Sequence, residues 1–483
     1  MAKSLKSNFI FNLINVISGL VFPLITFPYA SRMLMADGIG QVQFFSSIIN
    51  YVVLLTGLGI PMYGVRQIAR VRDDVKELSK TTTELILLNL LLNVIGYVII
   101  AILCCTVAKV QVNIPLFLLL STSIILTTIG CPWFYSGVED FKYITVVGLT
   151  FKTICVVFLF AFVHGPQDLI WYGLYSVLGS IGNYLLNFFR LRKYINLKEF
   201  SIAELNLRRH IKPAFEIFIF NLVASIYINL DSVMVGALKN VTAVGYYTAA
   251  TRLSHILVMA VTSLGTVMLP RSANLLQNGD TQKFAELAKK SYNFIILFAF
   301  PLCMGLIAMA PTLIRLFCGD GFMPAIRTLQ IMSPIVIAIG ISNLIGLQVL
   351  YPLDKIKIVT LSTCVGAAVN FILNCILIPV LSQDGAAIAT IAAETSVTLT
   401  QIILARKFIP FRLFDKKIIV YFFSAIIMLL ACFAMMNTGL PDAINIFVVP
   451  VAGTLVYGTL MMLFKDELCL EIIEIVKNKF IRK

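Results

Sequence analysis

The sequence predicts an all-α polytopic membrane protein of about 14 transmembrane helices, and three observations predict it. Hydrophobic residues make up 59% of the 483 positions and charged residues only 13%, against about 45–50% and about 25% in ordinary soluble domains. The mean hydropathy is +0.93. The apolar residues fall in recurrent runs, each long enough for the roughly 20 residues that cross roughly 30 Å of hydrocarbon. The connectors are short, which leaves no stretch to fold alone as a soluble catalytic or nucleic-acid-binding domain.

The elements follow in order. The run 8–34 is too long for a signal-peptide core and lacks a small-x-small cleavage site, so it is a retained span. Runs 40–65, 84–108, 114–136, 143–164 and 168–190 complete a first set of six, and 212–237, 242–270, 290–316, 324–351, 356–380 and 384–406 a second. A hairpin, 416–437 and 443–464, ends the membrane part. Domains are expected at 1–210, 211–410 and 411–483. Pro23, Pro28, Pro301 and Pro334 lie inside runs and predict kinks, tolerated where neighbours satisfy the freed carbonyls. The tail 466–483 carries Leu468, Ile472, Ile475, Val476 and Lys479 at helical spacing, which predicts an amphipathic helix on the inner membrane surface.

The net charge of +14 would suggest nucleic acid in a soluble protein. Here Lys and Arg gather in alternate connectors: with the N-terminus inside, 31 of the 38 basic residues fall on that side. Arg32, Lys109, Lys239, Arg315 and Arg327 fall near the other side, and Lys152 and Arg252 within spans. The asymmetry predicts cytoplasmic termini and an even number of spans.

The chain also repeats itself. Ile10-Phe11-Asn12-Leu13 returns as Ile219-Phe220-Asn221-Leu222, and Thr56-x-Leu58-Gly59 as Thr262-x-Leu264-Gly265, in the same order. The offset corresponds to six spans, so both copies have the same orientation. Parallel repeats of this kind occur in secondary transporters, with substrate between the halves.

Charged groups inside a bilayer cost roughly 2.5–3.5 kcal/mol each on insertion scales, so they face a cavity or a partner. Arg32, Lys152, Arg252, Arg315 and Arg327 are the candidate cavity cations, suited to an anionic substrate because guanidinium grips phosphate oxygens bidentately. Arg32, Arg315 and Arg327 lie near span ends and could instead snorkel to the interface; Lys152 could pair with Glu216. Arg252 is ten residues from the nearest predicted span end, too deep for that. Asp231 and Glu394 could bind a coupling cation or proton, or hold helices together; His255 reads as packing. No Walker loop is present, His164, His210 and His255 do not cluster, and Gly319-Asp320-Gly321 reads as a turn. The ten cysteines contain no CxxC, which supports neither a disulfide framework nor a zinc site. The reading is therefore a transporter, not an enzyme, with no cofactor and no metal.

Several stretches resemble bacterial Wzx-type O-antigen and polysaccharide flippases. They are Phe27-Pro28-Tyr29-Ala30-Ser31-Arg32 with Gly38-Ile39-Gly40; Gly59-Ile60-Pro61-x-Tyr63-Gly64-x-Arg66; Leu230-Asp231-x-x-Met234-x-Gly236 with Val244-Gly245-Tyr246-Tyr247; Gln348-Val349-Leu350-Tyr351-Pro352-Leu353; and Asp384-Gly385-Ala386-Ala387-Ile388-Ala389-Thr390. The resemblance covers nearly the whole chain in order. It implies the multidrug/oligosaccharidyl-lipid/polysaccharide exporter fold, two six-helix lobes in a V, here with a C-terminal hairpin. It implies flipping of an undecaprenyl-diphosphate-linked oligosaccharide (an O-antigen, capsule or exopolysaccharide repeat unit) by alternating access, from the inner to the outer leaflet of the bacterial cytoplasmic membrane. A polysaccharide polymerase and a chain-length regulator are the implied protein partners. Related lipid II flippases carry cavity arginines; Arg252, in Tyr247-x-x-x-x-Arg252-Leu253, and Arg32 resemble two of them, the former with one extra residue before the Arg.

Two other function classes compete. A cation-coupled multidrug exporter, or a lipid II-type flippase, would share the fold, but a drug exporter for organic cations should carry acidic groups in its first six spans. Away from their predicted ends those spans contain no Asp or Glu, apart from Glu84 at the start of the third. A membrane-embedded glycan ligase or polymerase would carry a large outer loop, and the outer loops here are a few residues long.

Overall fold

The computed structural model describes residues 5–196, 198–471 and 474, and within these leaves out some helical side chains, among them 5–10, 220, 221 and 226–228. Most of the expected amphipathic tail, including Ile472, Ile475, Val476 and Lys479, lies outside the described residues, as do residues 1–4. The described residues contain helices and no strand. They form two compact units, Met1–Gly245 and Tyr246–Lys483.

The first unit holds α1 (Leu5–Gly57), α2 (Ile60–Val71), α3 (Val75–Thr106), α4 (Ala108–Gln111), α5 (Ile114–Gly130), α6 (Pro132–Gly137), α7 (Phe141–Phe162), α8 (Leu169–Ile181), α9 (Tyr184–Leu191) and α10 (Arg208–Leu238). The first turn of α11 (Val241–Gln277) belongs to it too. The second unit adds α12 (Thr281–Cys318), α13 (Ala325–Met332), α14 (Ile335–Asn343), a π-helical stretch Leu344–Leu350, α15 (Ile356–Leu381), α16 (Gln383–Leu404), α17 (Lys416–Met436) and α18 (Asp442–Leu463).

Among the described residues, 11 helices are long and apolar enough to cross a membrane. Segments 8–34 and 40–65 fall largely on the two arms of α1, counted there as one, which divide at Met35 (φ 57, ψ −176) between the two expected spans. At 1.5 Å per residue each arm of α1 is long enough to cross roughly 30 Å on its own. The segment 168–190 is divided between α8 and α9. Tyr184 there packs on Gly130, where any Cβ would come within 2.2 Å of it. The segment 212–237 lies in α10, which opens on Arg208, Arg209 and His210 and carries Glu216 and Asp231.

Beyond Met35, α1 meets the start of α11 backbone to backbone. A Cβ on Gly40 would sit 1.7 Å from the Val241 carbonyl oxygen, and one on Gly245 2.0 Å from that of Ala36. Small residues permit such close helix crossings in membranes, and the Thr242 hydroxyl fixes this one by donating to Asp37 Oδ1 at 3.0 Å. The core at one end of the unit gathers Ile60, Tyr63, Ile68, Leu85, Trp133, Phe134 and Tyr135.

The repeated Thr-x-Leu-Gly motif plays two backbone roles. Gly59 opens α2 from the left-handed region (φ 71), where a Cβ would come within 2.4 Å of the Ala214 carbonyl oxygen. Gly265 lies inside the continuous α11, and its bare backbone receives the Asn343 side chain.

Reporter fusions test the topology. Asp74, Asn113, Gly165, Asn206, Asp415 and Asp442 all lie at or beside helix ends. Fusions at Asn113, Gly165 and Asp442 are expected to report outside, and those at Asp74, Asn206 and Asp415 inside. A cytoplasmic signal at Asp442 would overturn the predicted count of about 14 spans.

Candidate functional site

In the first unit, Arg32 is exposed on α1, one turn before the strained Met35. Lys152, half-buried on α7, donates from Nζ to the buried Ser18 hydroxyl of α1 at 2.8 Å. It pairs with no carboxylate among the described residues. Asp231 is buried on α10, close enough to Tyr51 of α1 to act on it electrostatically. The packing of α10 on α1 places this carboxylate in the first unit.

Both ends of α10 are held by charged groups. At its C-terminal end, Lys109 Nζ donates to the carbonyls of Gly236, Ala237 and Lys239 at 2.5, 2.7 and 2.8 Å. A cation there satisfies terminal carbonyls and opposes the negative end of the helix dipole. Burial pushes the Lys109 ammonium below its usual range. At the N-terminal end, fully buried Glu84 of α3 accepts from Arg209 (Nη2 at 2.6 Å, Nε at 2.9 Å), His210 Nε2 (2.7 Å) and Asn206 N (2.7 Å). His210 Nδ1 lies 2.9 Å from the Tyr63 hydroxyl. A proton on Nε2 satisfies both contacts, so that Tyr63 donates.

In the second unit, Arg315 near the end of α12 reaches Asp442 at the start of α18 (3.4 Å), which also accepts from the Thr312 hydroxyl at 3.0 Å. Arg327, with 75% of its side chain exposed, lies 3.4 Å from Asp384 in the first turn of α16, where Thr328 donates at 2.7 Å. Each of these arginines thus already faces a carboxylate, which weakens its pull on an anion. Arg252 sits half-buried in the interior of α11, remote from both helix ends. Nearby, the Tyr247 and Thr390 hydroxyls are 2.9 Å apart. Glu394 is buried on α16. Arg252, Arg315 and Arg327 therefore share the second unit, while Arg32, Lys152 and Asp231 share the first.

The second unit also holds a cavity of about 450 Å³ that the sequence did not disclose. It is walled by α12, α17 and α18, through residues such as Pro301, Leu306, Met428, Cys432, Val449 and Met461. Along α18 it runs from Ile446 to Met461, about 22 Å at 1.5 Å per residue. The lining is apolar apart from Thr454 and Tyr457 hydroxyls and two thiols. A channel of this length and character suits a long hydrocarbon chain.

Comparisons with known proteins agree with this architecture. The family described as polysaccharide biosynthesis protein matches residues 5–276, and the family described as MatE matches residues 217–376. The "Putative O-antigen transporter" of Escherichia coli (strain K12) is 23% identical over 407 residues, covering 83% of this chain and 97% of its own. Among solved structures, the lipid II flippase MurJ in an inward closed conformation matches with a TM-score of 0.72 at 17% identity, covering 95% of this chain and 99% of its own. An inward-facing multidrug resistance MATE family transporter matches with a TM-score of 0.61 at 12% identity, covering 87% and 96%. At such identities these structures speak for the fold alone.

Proposed function

The chain belongs to the polysaccharide biosynthesis protein family, and from that premise we propose that it flips a lipid-linked oligosaccharide from the inner to the outer leaflet of the bacterial cytoplasmic membrane. The observation that supports this reading is that the second unit holds both an arginine in the interior of a helix, Arg252, and a long apolar cavity. An undecaprenyl-diphosphate-linked O-antigen, capsule or exopolysaccharide unit has that composition: an anionic head and a long isoprenoid tail. The name of the Escherichia coli relative, over nearly its whole length, supports the same substrate class. A polysaccharide polymerase and a chain-length regulator are the partners this reading implies.

The sequence offers no nucleotide-binding motif, so the driving force is assigned to the membrane potential, an ion gradient or consumption of product outside. A charge crossing the membrane field is worth roughly 2.3 kcal/mol per 100 mV, so an inside-negative potential assists outward passage of a diphosphate. Asp231 and Glu394 are the candidate sites for a co-driving cation.

Reconstitution in liposomes with lipid-linked substrate tests this reading. Transport is expected to rise with an imposed inside-negative potential. It is expected to fall in Gly305→Leu and Gly458→Leu, which place a side chain in the cavity lining where a Cβ meets nothing closer than 3.9 Å. No flipping by the native protein, or flipping unaffected by a filled cavity, would overturn the assignment. Full activity of Asp231→Asn and Glu394→Gln would reduce those carboxylates to helix–helix contacts.

A further inference from the structure

Residues 348–353 carry the π-helical stretch of the second unit into a tight turn. The Asp354 backbone N–H donates to the Tyr351 carbonyl at 3.1 Å, Asp354 takes the left-handed region (φ 55), and the Lys355 N–H donates to the Leu350 carbonyl at 2.9 Å. The turn leaves Tyr351 54% exposed and leads into α15 through exposed Lys355, Ile356 and Lys357. The connector after α16, residues 405–415, packs beside it. Phe408 and Ile409 lie on the buried cluster of Ile345 and Leu350, and Phe411 and Leu353 on that of Val349 and Phe284. Tyr292 of α12 fixes the connector twice. Its ring centroid is 5.1 Å from that of Phe411, and its hydroxyl donates to the Leu413 carbonyl at 2.7 Å. Lys355 Nζ lies 5.2 Å from the Phe408 ring centroid and links the two loops. Together they form one surface whose shape is set by buried contacts.

The outer side of this surface is basic. Lys355, Lys357, Arg406, Lys407, Arg412 and Lys416 are exposed, and none of them pairs with a carboxylate among the described residues. The acidic residues of the two loops are Asp354 and Asp415, and Asp415 is engaged in capping α17 through the Lys416 N–H. Lys355 and Lys357 stand at the start of α15 and Lys416 at the start of α17, ends whose dipole favours an anion. Between Arg412 and Lys416, Phe414 is 86% exposed. Free cations interleaved with an exposed phenylalanine and tyrosine match a membrane surface, where cations meet phosphate groups and aromatic rings sit at head-group level. A soluble anion would satisfy the cations and leave Phe414 in water.

We propose that residues 351–357 and 405–416 together form a preshaped docking surface for the head groups of anionic phospholipids of the surrounding membrane, with Phe414 and Tyr351 seated at head-group level. The site is independent of the transported substrate. Basic loops also set orientation during membrane insertion, but that role depends on the number of cations on each side. It needs neither a fixed shape nor an exposed phenylalanine. Here the cations are carried by a turn and a connector that Phe408, Phe411 and Tyr292 hold in place.

The test uses the full chain carrying Phe414→Trp, an exposed change, reconstituted in vesicles that contain brominated phosphatidylglycerol or brominated phosphatidylcholine. Quenching is read after subtracting the signal of the unsubstituted chain, whose tryptophans are Trp133 and Trp171. The anionic lipid is expected to quench the new tryptophan with an association constant about tenfold above that of the zwitterionic one. Adding Arg406→Gln, Lys407→Gln and Arg412→Gln is expected to bring the ratio close to one. Adding Arg70→Gln, Lys193→Gln and Lys198→Gln instead, three exposed cations of the first unit, is expected to leave it high. Equal quenching by both lipids would overturn the head-group site. No quenching by either would show that the surface faces water or a soluble partner, and would overturn it too. Equal loss of preference in the two triple variants would reduce the effect to long-range charge and overturn the built site.

Discussion

Glu84→Ala is expected to destabilise the protein by about 3 kcal/mol, at the low end of the roughly 3–5 kcal/mol that breaking a buried ion pair costs. Glu84 is fully buried, and its two oxygens receive Arg209, His210 and the Asn206 amide. Alanine leaves these donors facing apolar neighbours. The figure stays low because 38% of the Arg209 side chain is exposed, so water partly replaces the lost carboxylate. Arg209→Ala is expected to cost less, since Glu84 keeps His210 and Asn206. The double variant should cost less than the two single changes together, because the second deletion removes a charge the first has already stranded. The measurement is thermal unfolding in detergent, with membrane levels alongside. Additive losses would show that the pair is not coupled.

How far this cluster could be foreseen shows where the sequence stops. The sequence places Glu84 only at the start of the third expected span; that it is fully buried, and so demands a partner, comes from the fold. Its partner lies 125 positions away in the chain, in a stretch whose basic residues looked like ordinary loop charge. The same limit applies to Arg315 and Arg327. Their place near span ends was legible, but Asp442 and Asp384, which meet them, lie in other connectors. The helical, membrane-crossing character was legible throughout, because long apolar runs leave few alternatives. The break in α1 at Met35 falls between the expected spans 8–34 and 40–65; its cause was not legible, because Met35 is neither glycine nor proline and the region is fixed by the approach of Gly40 to the Val241 backbone. The cavity was hidden for another reason. In a bilayer, side chains lining an apolar channel and side chains facing lipid obey the same composition, so only packing separates Met428 or Val449 from a lipid-exposed neighbour such as Val451.

Arg252→Ala is expected to lower flipping by roughly ten- to a hundredfold with normal membrane levels, the worth of about 1.5–3 kcal/mol for a hydrogen bond to a charged group. The candidate cations of the second unit divide by geometry. Arg315 and Arg327 are held near helix ends by Asp442 and Asp384, and their exposed side chains spend their charge there. Arg252 lies well inside α11, half-buried and remote from both helix ends. A diphosphate offers paired oxygens that match the guanidinium fork, which an ammonium cannot reproduce. Arg252→Lys should therefore be impaired as well, though less than alanine, because it keeps the charge and loses the second hydrogen bond. Arg327→Ala, which removes a largely exposed cation, should leave flipping nearly unchanged. The readout is complementation of polysaccharide export in cells lacking the protein, followed by initial rates in liposomes. Full activity of Arg252→Ala would make the residue a packing element of α11 and move the search for the head-group cation to Arg32 and Lys152.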